Sequence, residues 1–428
     1  MKKQSLFPVL SLMLMLGIFL QSCQDKCTET YTYTLYHPVY KSVAEVRADV
    51  HFDAAQALVN PGKIYVRDNL LIINEVDKGL HFYNISDASN PVNMGFLHLP
   101  GNMDMAVYGN FLYADSYYDL VVFDLANSAN IEELTRLQDV FPDRHYENGF
   151  QYDPDSGVVV DWIPELISIE QNCKVASPFV DFGGGVIVFS GNVQTVADNG
   201  SGRNAPTAGI GGSMARFTIA SAMLYAVTNS NLHPFTLGNP AQPDSLPIVN
   251  IGWDIETIFP YGNNLFIGSR NGMYIYDITN PGSPIESGQF SHYYSCDPVV
   301  VSGNTAYVTL RSGTVCEGFS NQLDVLDVSN LSNPALIKTY LLNNPHGLAI
   351  DGSTLFICDG DEGLKVFDAG DLQKIDKHQL DRIKNLDTYD VIPQPDKNRL
   401  ILVAKEGIYF FDYSDPANLI EQSHIAVN

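Results

Sequence analysis

The sequence predicts an all-β chain, a seven-bladed β-propeller of four-stranded blades with one long loop insertion. Three observations carry this expectation: short apolar runs set between turn residues, a two-strand unit that recurs at near-constant spacing, and a composition rich in Gly and Pro but poor in charge. Of 428 residues, 45% are hydrophobic and 17% charged, with 33 Gly and 23 Pro. That balance is globular and argues against long helical bundles. The formal net charge is −25, so nucleic acid is excluded as a partner and anionic lipid surfaces are repelled.

The N-terminus reads as an address. Lys2 and Lys3 precede a nearly unbroken apolar run over residues 6–20, shorter than the ~20 residues of a membrane-spanning helix. A basic start and a short apolar core make residues 1–22 a signal peptide. Leu20-Gln21-Ser22-Cys23 follows directly and looks like a bacterial lipobox, in which the Cys23 thiol is lipidated and becomes the first mature residue. Residues 23–30 are polar and suit a tether, and no later run reaches spanning length. The expectation is a lipoprotein of the bacterial cell envelope, bound to membrane through its lipid anchor, with the periplasmic or surface face of the outer membrane as its location.

Residues 31–428 are then expected to form the propeller. The clearest copy of the repeated unit is Val107-Tyr108-Gly109-Asn110-Phe111-Leu112-Tyr113 followed by Leu120-Val121-Val122-Phe123-Asp124. The residue that closes the second strand of each unit gives seven anchors, Asn84, Asp124, Thr236, Asp277, Asp327, Asp368 and Asp412. Their separations are 40, 112, 41, 50, 41 and 44 residues, and a period of about 40–45 built from short strands is the signature of propeller blades. The 50-residue interval lengthens one loop between Ala306 and Asp327, and the 112-residue interval places an insertion at about 142–213. Gly-Asn pairs supply tight turns because both residues tolerate φ > 0. An anchor Asp followed by Ser/Thr-Asn-Pro accepts backbone N–H bonds in its hairpin, which makes it a folding device rather than a catalytic group.

Leu120 to Asp124, Leu323 to Asp327 and Leu364 to Asp368 resemble the LVIVD-repeat family of bacterial β-propeller proteins, over about residues 61–428. The resemblance implies an exported propeller, often lipid-anchored, and supplies no catalytic residues. Thr236 in the third unit and Asn84 in the first depart from its Asp.

Motifs of fixed spacing are missing: there is no G-x-S-x-G, H-E-x-x-H, C-x-x-C, Walker loop or G-x-G-x-x-G. Asp359-Gly360-Asp361-Glu362-Gly363 and Asp153-Pro154-Asp155-Ser156-Gly157 lack the spacing and distal Glu of a calcium loop and read as turns. Geometry offers more. In a propeller, the loops entering each first strand and those joining the second and third strands share one face, around the channel mouth. Asp104, Glu256, Asp297, His346 and Asp390 sit at or beside that position in five units and form the candidate ligand-binding set. Converging carboxylates repel, so they raise a pKa or hold Ca²⁺ or another divalent cation, the one cofactor such a mouth would take. The alternative is that each caps its own loop. Tyr117, Tyr118, Tyr293, Tyr294 and Trp253 share the face, and aromatics beside carboxylates suit a glycan, peptide or protein ligand, although blades also bury aromatics against each other.

The insertion is a glycine-rich loop system expected to cover part of that face, with a strand at Gly157 to Trp162. The function expected is a non-enzymatic binding or interaction module. The alternative is a propeller hydrolase or lactonase whose mouth carboxylates and His346 hold a divalent cation that activates water. Export permits oxidation, and Cys296 with Cys316 are expected to form a disulfide within one lengthened blade, closing a loop of about 20 residues worth roughly 3 kcal/mol. At least one of the five other cysteines besides Cys23 is unpaired, and Cys358 is assigned as the free one. The lipobox predicts that Cys23→Ala releases the protein from an alkali-washed membrane fraction; unchanged retention would remove that reading.

Overall fold

The structure is a computed structural model, and the described residues are 28–127, 130–142, 156–172, 210–291, 298–312 and 321–428. They fall into two compact units. The larger, Tyr40–Val160 with Phe189–Asn428, contains seven antiparallel sheets, each built around four strands taken in chain order, with a further strand at either edge of the first. It is a seven-bladed β-propeller. The first strands of the blades are Pro61–Arg67, Met105–Tyr108, Phe217–Ala220, Ile255–Tyr261, Val299–Ser302, Leu348–Asp351 and Thr388–Gln394.

Burial follows strand rank within a blade. First to third strands are almost wholly buried, whereas fourth strands such as Glu132–Leu137 and Ile285–Ser291 are largely exposed. Side chains from both faces of each sheet pack against the neighbouring blades, and the apolar clusters link blades 1 to 3, 3 with 4, 4 to 6, 6 with 7, and 7 with 1. The seam between blades 7 and 1 involves no exchanged strand. It is held by packing of Ile64, Ile73 and Tyr83 with Ile401 and Phe410, by a parallel bridge between Leu58 and Val427, and by Arg399 donating to the Ile85 carbonyl. Closing the ring removes sheet edges that short strands would otherwise expose.

The anchors predicted from the repeat all close third strands, and each accepts a hydrogen bond from the backbone N–H two residues on. The distances are 2.9 Å at Asn84, 2.7 Å at Asp124, 3.4 Å at Thr236, 2.7 Å at Asp277, 2.8 Å at Asp327, 2.9 Å at Asp368 and 2.8 Å at Asp412. This Asx or ST turn reverses the chain toward the fourth strand, so a short oxygen-bearing side chain suffices. The Gly-Asn expectation needs one correction. Gly109, Gly262 and Gly303 lie at φ of +59°, +59° and +60°, but their Asn neighbours do not enter positive φ, as in a turn where only the first central residue is left-handed.

Blade 3 departs most from the repeat. Its first turn uses Ser221 and Ala222 at φ +50° and +56°, and its fourth strand is split into Asp244–Ser245 and Val249–Asn250, both paired with Asn231–Thr236. Pro247 stands in the break and has no N–H to give to the ladder.

Residues 31–36, at the start of the expected propeller span, lie in a strand that pairs outside the blades. Thr28–Lys41 pairs with Val158–Asn172 in a separate two-stranded sheet, and residues 28–39 with 161–172 are the described part of the smaller unit. Within it His37 meets Glu165 at 2.7 Å and Thr32 meets Ser168 at 3.1 Å. Blade 1 does gain an outer strand, but it is His51–Asp53, paired with Val92–His98. Before it runs the helix Val43–Ala48, started by a Ser42/Glu45 capping box.

Arg47 of that helix pins blade 2. It reaches Asp119 through Nε at 2.7 Å and Nη2 at 2.8 Å, and Asp119 also receives Arg136 and the Asp139 N–H, each at 3.0 Å. Burial pushes the Asp119 carboxyl up, but the Arg47 fork, the Asp139 N–H and Arg136 outweigh it and hold the group below the usual aspartate range. Its stabilising share is therefore complete above the ordinary aspartate pKa and is lost as pH falls through the lowered folded value. Asp119→Ala should cost about 3 kcal/mol, because two guanidinium groups lose a buried partner. Urea unfolding at neutral pH measures this, and the difference from wild type should shrink in acid.

Candidate functional site

The end of the insertion, from Ile210 on, enters the ring, while most of the rest of the insertion lies outside the described residues. Ile210–Gly211 pairs with Val66 and Tyr65 of blade 1 on the channel side. Ser213 donates to Asp390 Oδ1 of blade 7 from its N–H at 3.3 Å and its Oγ at 3.2 Å, while that Oγ accepts the Leu348 N–H of blade 6 at 2.9 Å. The Ala215 carbonyl accepts the Ile258 N–H of blade 4 at 2.8 Å. The Arg216 and Phe217 N–H groups both donate to Asp104 Oδ2 of blade 2, the latter at 3.2 Å, and the chain then opens blade 3. Gly347 permits the approach, since a Cβ there would run into the Asp390 carboxylate and lie 2.8 Å from Ser213 Oγ.

Two of the five candidate residues, Asp104 and Asp390, therefore bond to one segment, residues 213–217, and a third, Glu256, feels the charge of its Arg216. Asp104 is buried and accepts from Lys63 Nζ at 2.6 Å besides the two N–H groups. Burial pushes the Lys63 ammonium down and Asp104 draws it back up. Asp390 is buried against Ser213. Glu256 meets Arg270 Nε at 3.3 Å; burial raises its carboxyl pKa, against the pull of Arg270, Arg216 and Arg311. His346 is pulled down to about 3, first by burial and then by Arg311. The ring is therefore neutral, its Nε2 takes the Arg311 guanidinium at 3.4 Å, and Tyr389 stands edge-on at 5.1 Å.

Instead of carboxylates facing each other, the mouth sets three guanidinium groups around Glu256. Arg270 and Arg311 lie at the turns after the second strands of blades 4 and 5. Sequence reasoning passed over them because it compared only positions before first strands. A comparison of the turn before each third strand would have found Ser269-Arg270-Asn271-Gly272 beside Ala404-Lys405-Glu406-Gly407.

Tyr117 and Tyr118 are not a free aromatic surface. They are buried with Val46 and Val158, under the helix that carries Arg47. Trp253 is 78% exposed, just before the first strand of blade 4. Asp297, Tyr293, Tyr294, Cys296, Cys316 and Cys23 lie outside the described residues. Cys358 is free and buried, as assigned, and Asp359 to Gly363 forms the turn joining the second and third strands of blade 6.

The neutral His346 carries a sign for pH. The unfolded chain binds a proton at an ordinary imidazole that the folded chain refuses, so stability falls as pH drops from about 6.5 toward the folded value. His346→Gln should flatten the part of the melting-temperature profile between those limits. A profile identical to that of wild type would contradict the assignment.

Comparison with known proteins supports the same architecture. The LVIVD repeat model matches residues 101–139, 256–291 and 295–341, which cover blades 2, 4 and 5. No curated protein matches the sequence significantly. Among solved structures, a protein from Lactobacillus plantarum superposes with TM-score 0.54 at 10% identity, covering 93% of this chain and 97% of that one. The computationally designed Ika8 protein gives TM-score 0.51 at 10% identity, covering 88% and 92%. At such identity the likeness shows the fold alone. The repeat matches, the seven sheets and the seven side-chain anchors agree, and the chain is a seven-bladed β-propeller with LVIVD repeats in blades 2, 4 and 5.

Proposed function

We propose that this chain is a lipid-anchored envelope protein whose propeller binds, without turnover, a ligand carrying an anionic group at the channel mouth of blades 4 to 6. The observation that carries the reading is Arg311. Its hydrogen-bond partner among the described residues is a neutral imidazole, and burial pushes the guanidinium pKa down against the pull of Glu256. Glu256 is itself paired with Arg270. A partly desolvated guanidinium in this setting favours an incoming carboxylate or sulfate, which it would hold by charge-assisted bonds. The net charge of −25 does not oppose this at short range, because repulsion beyond about 8 Å is screened at physiological salt. Exposed Trp253 on the same side offers a flat face for a sugar ring or an aromatic side chain.

A binding role also fits the partners of the mouth carboxylates. Asp104 is committed to an ammonium and two backbone N–H groups, and Glu256 to guanidinium groups. Neither is arranged to hold a divalent cation, so the hydrolase reading is the weaker one. The test is an array of acidic and neutral glycans and peptides probed with the full chain. Acidic members should be retained preferentially, and Arg311→Gln should weaken them about tenfold or more, the scale of one charged hydrogen-bonded contact. Retention of neutral members alone, or binding indifferent to Arg311→Gln and Trp253→Ala, would overturn the proposal.

A further inference from the structure

We infer that the outer edge of blade 1 holds a divalent transition metal ion, of the zinc class, between Asp49, His51 and His98. The ligand atoms of these three residues lie within 4.8 Å of one another. The edge of a tetrahedron with metal–ligand distances of roughly 2.1 Å is about 3.4 Å, so rotamer adjustments of about an ångström would complete the set. Two imidazoles and one carboxylate are a nitrogen-and-oxygen donor set that suits zinc and its neighbours, whereas calcium and magnesium prefer oxygen throughout.

The fold builds this juxtaposition from distant parts of the chain. His51 opens the short outer strand, and His98 closes the fourth strand of blade 1 directly opposite it in the ladder. Their rings stack at 4.8 Å with an interplanar angle of 24°. Asp49 caps the C-terminus of the helix Val43–Ala48, two residues before His51. Its backbone carbonyl lies 2.7 Å from His98 Nδ1. A carbonyl only accepts, so in the neutral ring Nδ1 carries the hydrogen and Nε2 keeps its lone pair for a metal, with the ring orientation fixed by the same bond. Nε2 of His51 lies 3.3 Å from Asp53 Oδ2, which leaves Nδ1 of that ring as the second donor.

The one group to be displaced is Lys41, whose Nζ lies 3.2 Å from Asp49 Oδ2. Both side chains are at least a third exposed, and such pairs contribute little. His51 is exposed, which gives an ion access from solvent, and a groove of about 330 Å³ bordered by Phe52, Phe123 and Glu132 adjoins it. With three protein ligands, the fourth position stays open to water or to a ligand from outside. The ion would clip a three-residue strand onto the blade and fix the segment that follows the Arg47 helix. This site is separate from the channel mouth and does not rest on the ligand proposed there.

The experiment uses the purified full chain in mild detergent, stripped with chelator and titrated with Zn²⁺. Bound zinc is measured by equilibrium dialysis with elemental analysis, and stability by thermal melting. The expected result is saturable binding of one zinc per chain, a zinc-dependent rise in Tm, and slower amide exchange over residues 49–53, because an ion held by the native state alone stabilises it. His51→Ala and His98→Ala should each weaken that binding by at least about tenfold, while His424→Ala, at a surface ring beside Glu421, leaves it unchanged. Melting of each variant without zinc shows whether it is folded, and Asp49→Asn, which keeps the backbone carbonyl, supplies a gentler variant. Co²⁺ in place of zinc should give the visible absorption of a four-coordinate site, lost in His98→Ala. Zinc binding that persists in both His51→Ala and His98→Ala, or no binding at all, would overturn the inference.

Discussion

The centre of the propeller depends on one buried charge pair, Asp104 with Lys63. Taking an ammonium out of water is costly, and the pull of burial on the Lys63 pKa shows it. The pair survives because Asp104 has more than one partner: Oδ2 accepts Lys63 from blade 1 and the Arg216 and Phe217 N–H groups where the chain enters blade 3, and Oδ1 accepts its neighbour Met105 N–H at 2.7 Å. One carboxylate thus fixes the spacing of three blades. It also sets where the returning insertion runs, and with it the position of Arg216, whose charge pulls on the Glu256 carboxyl.

Outside this centre the structure is held by local devices. Every blade reverses toward its fourth strand through a side-chain oxygen that bonds two residues ahead, which needs no help from other blades. A repeat organised in this way accepts additions between units. The 112-residue interval between anchors falls in the connection from blade 2 to blade 3, and the entropic cost of a longer closed loop grows only as the logarithm of its length. The lengthening of blade 5 before Gln322–Asp327 obeys the same rule, since its third strand pairs in the ordinary register with Thr305–Leu310.

The blades were legible in the sequence because their determinants are local and recur: an Asp at a strand end, a glycine in a turn, an apolar run of fixed length. Even Thr236 and Asn84 were recoverable, since any short side chain with an acceptor oxygen performs the turn. The polarity of the mouth was not legible in the same way. Glu256, Arg270 and Arg311 belong to different strands or blades, and only the closed ring shows that the carboxylate is outnumbered. The burial of Tyr117 and Tyr118 depends on the Val46 helix, which no repeat announces. Residues 31–36 alternate as a blade strand would, yet pair with Val158–Asn172, because alternation reports a half-buried strand and not its partner. His51 and His98 are far apart in sequence, and only the ladder brings them together.

The unexchanged seam has a consequence for how the molecule assembles. All but three of the ladders within the blades join neighbouring strands in a meander, so each sheet is able to nucleate largely by itself on a short timescale. The Leu58 to Val427 bridge and the Asp104 tie to Phe217 are different. Both demand that distant stretches of chain meet after the sheets exist. Folding should therefore proceed as a fast, nearly independent formation of blades followed by a slow annealing of the circle, and the species that accumulates before annealing is an open crescent whose two end blades expose the apolar faces that later form the seam. A chaperone, or a partner chain at high concentration, would find its opening there, at the border between blades 7 and 1.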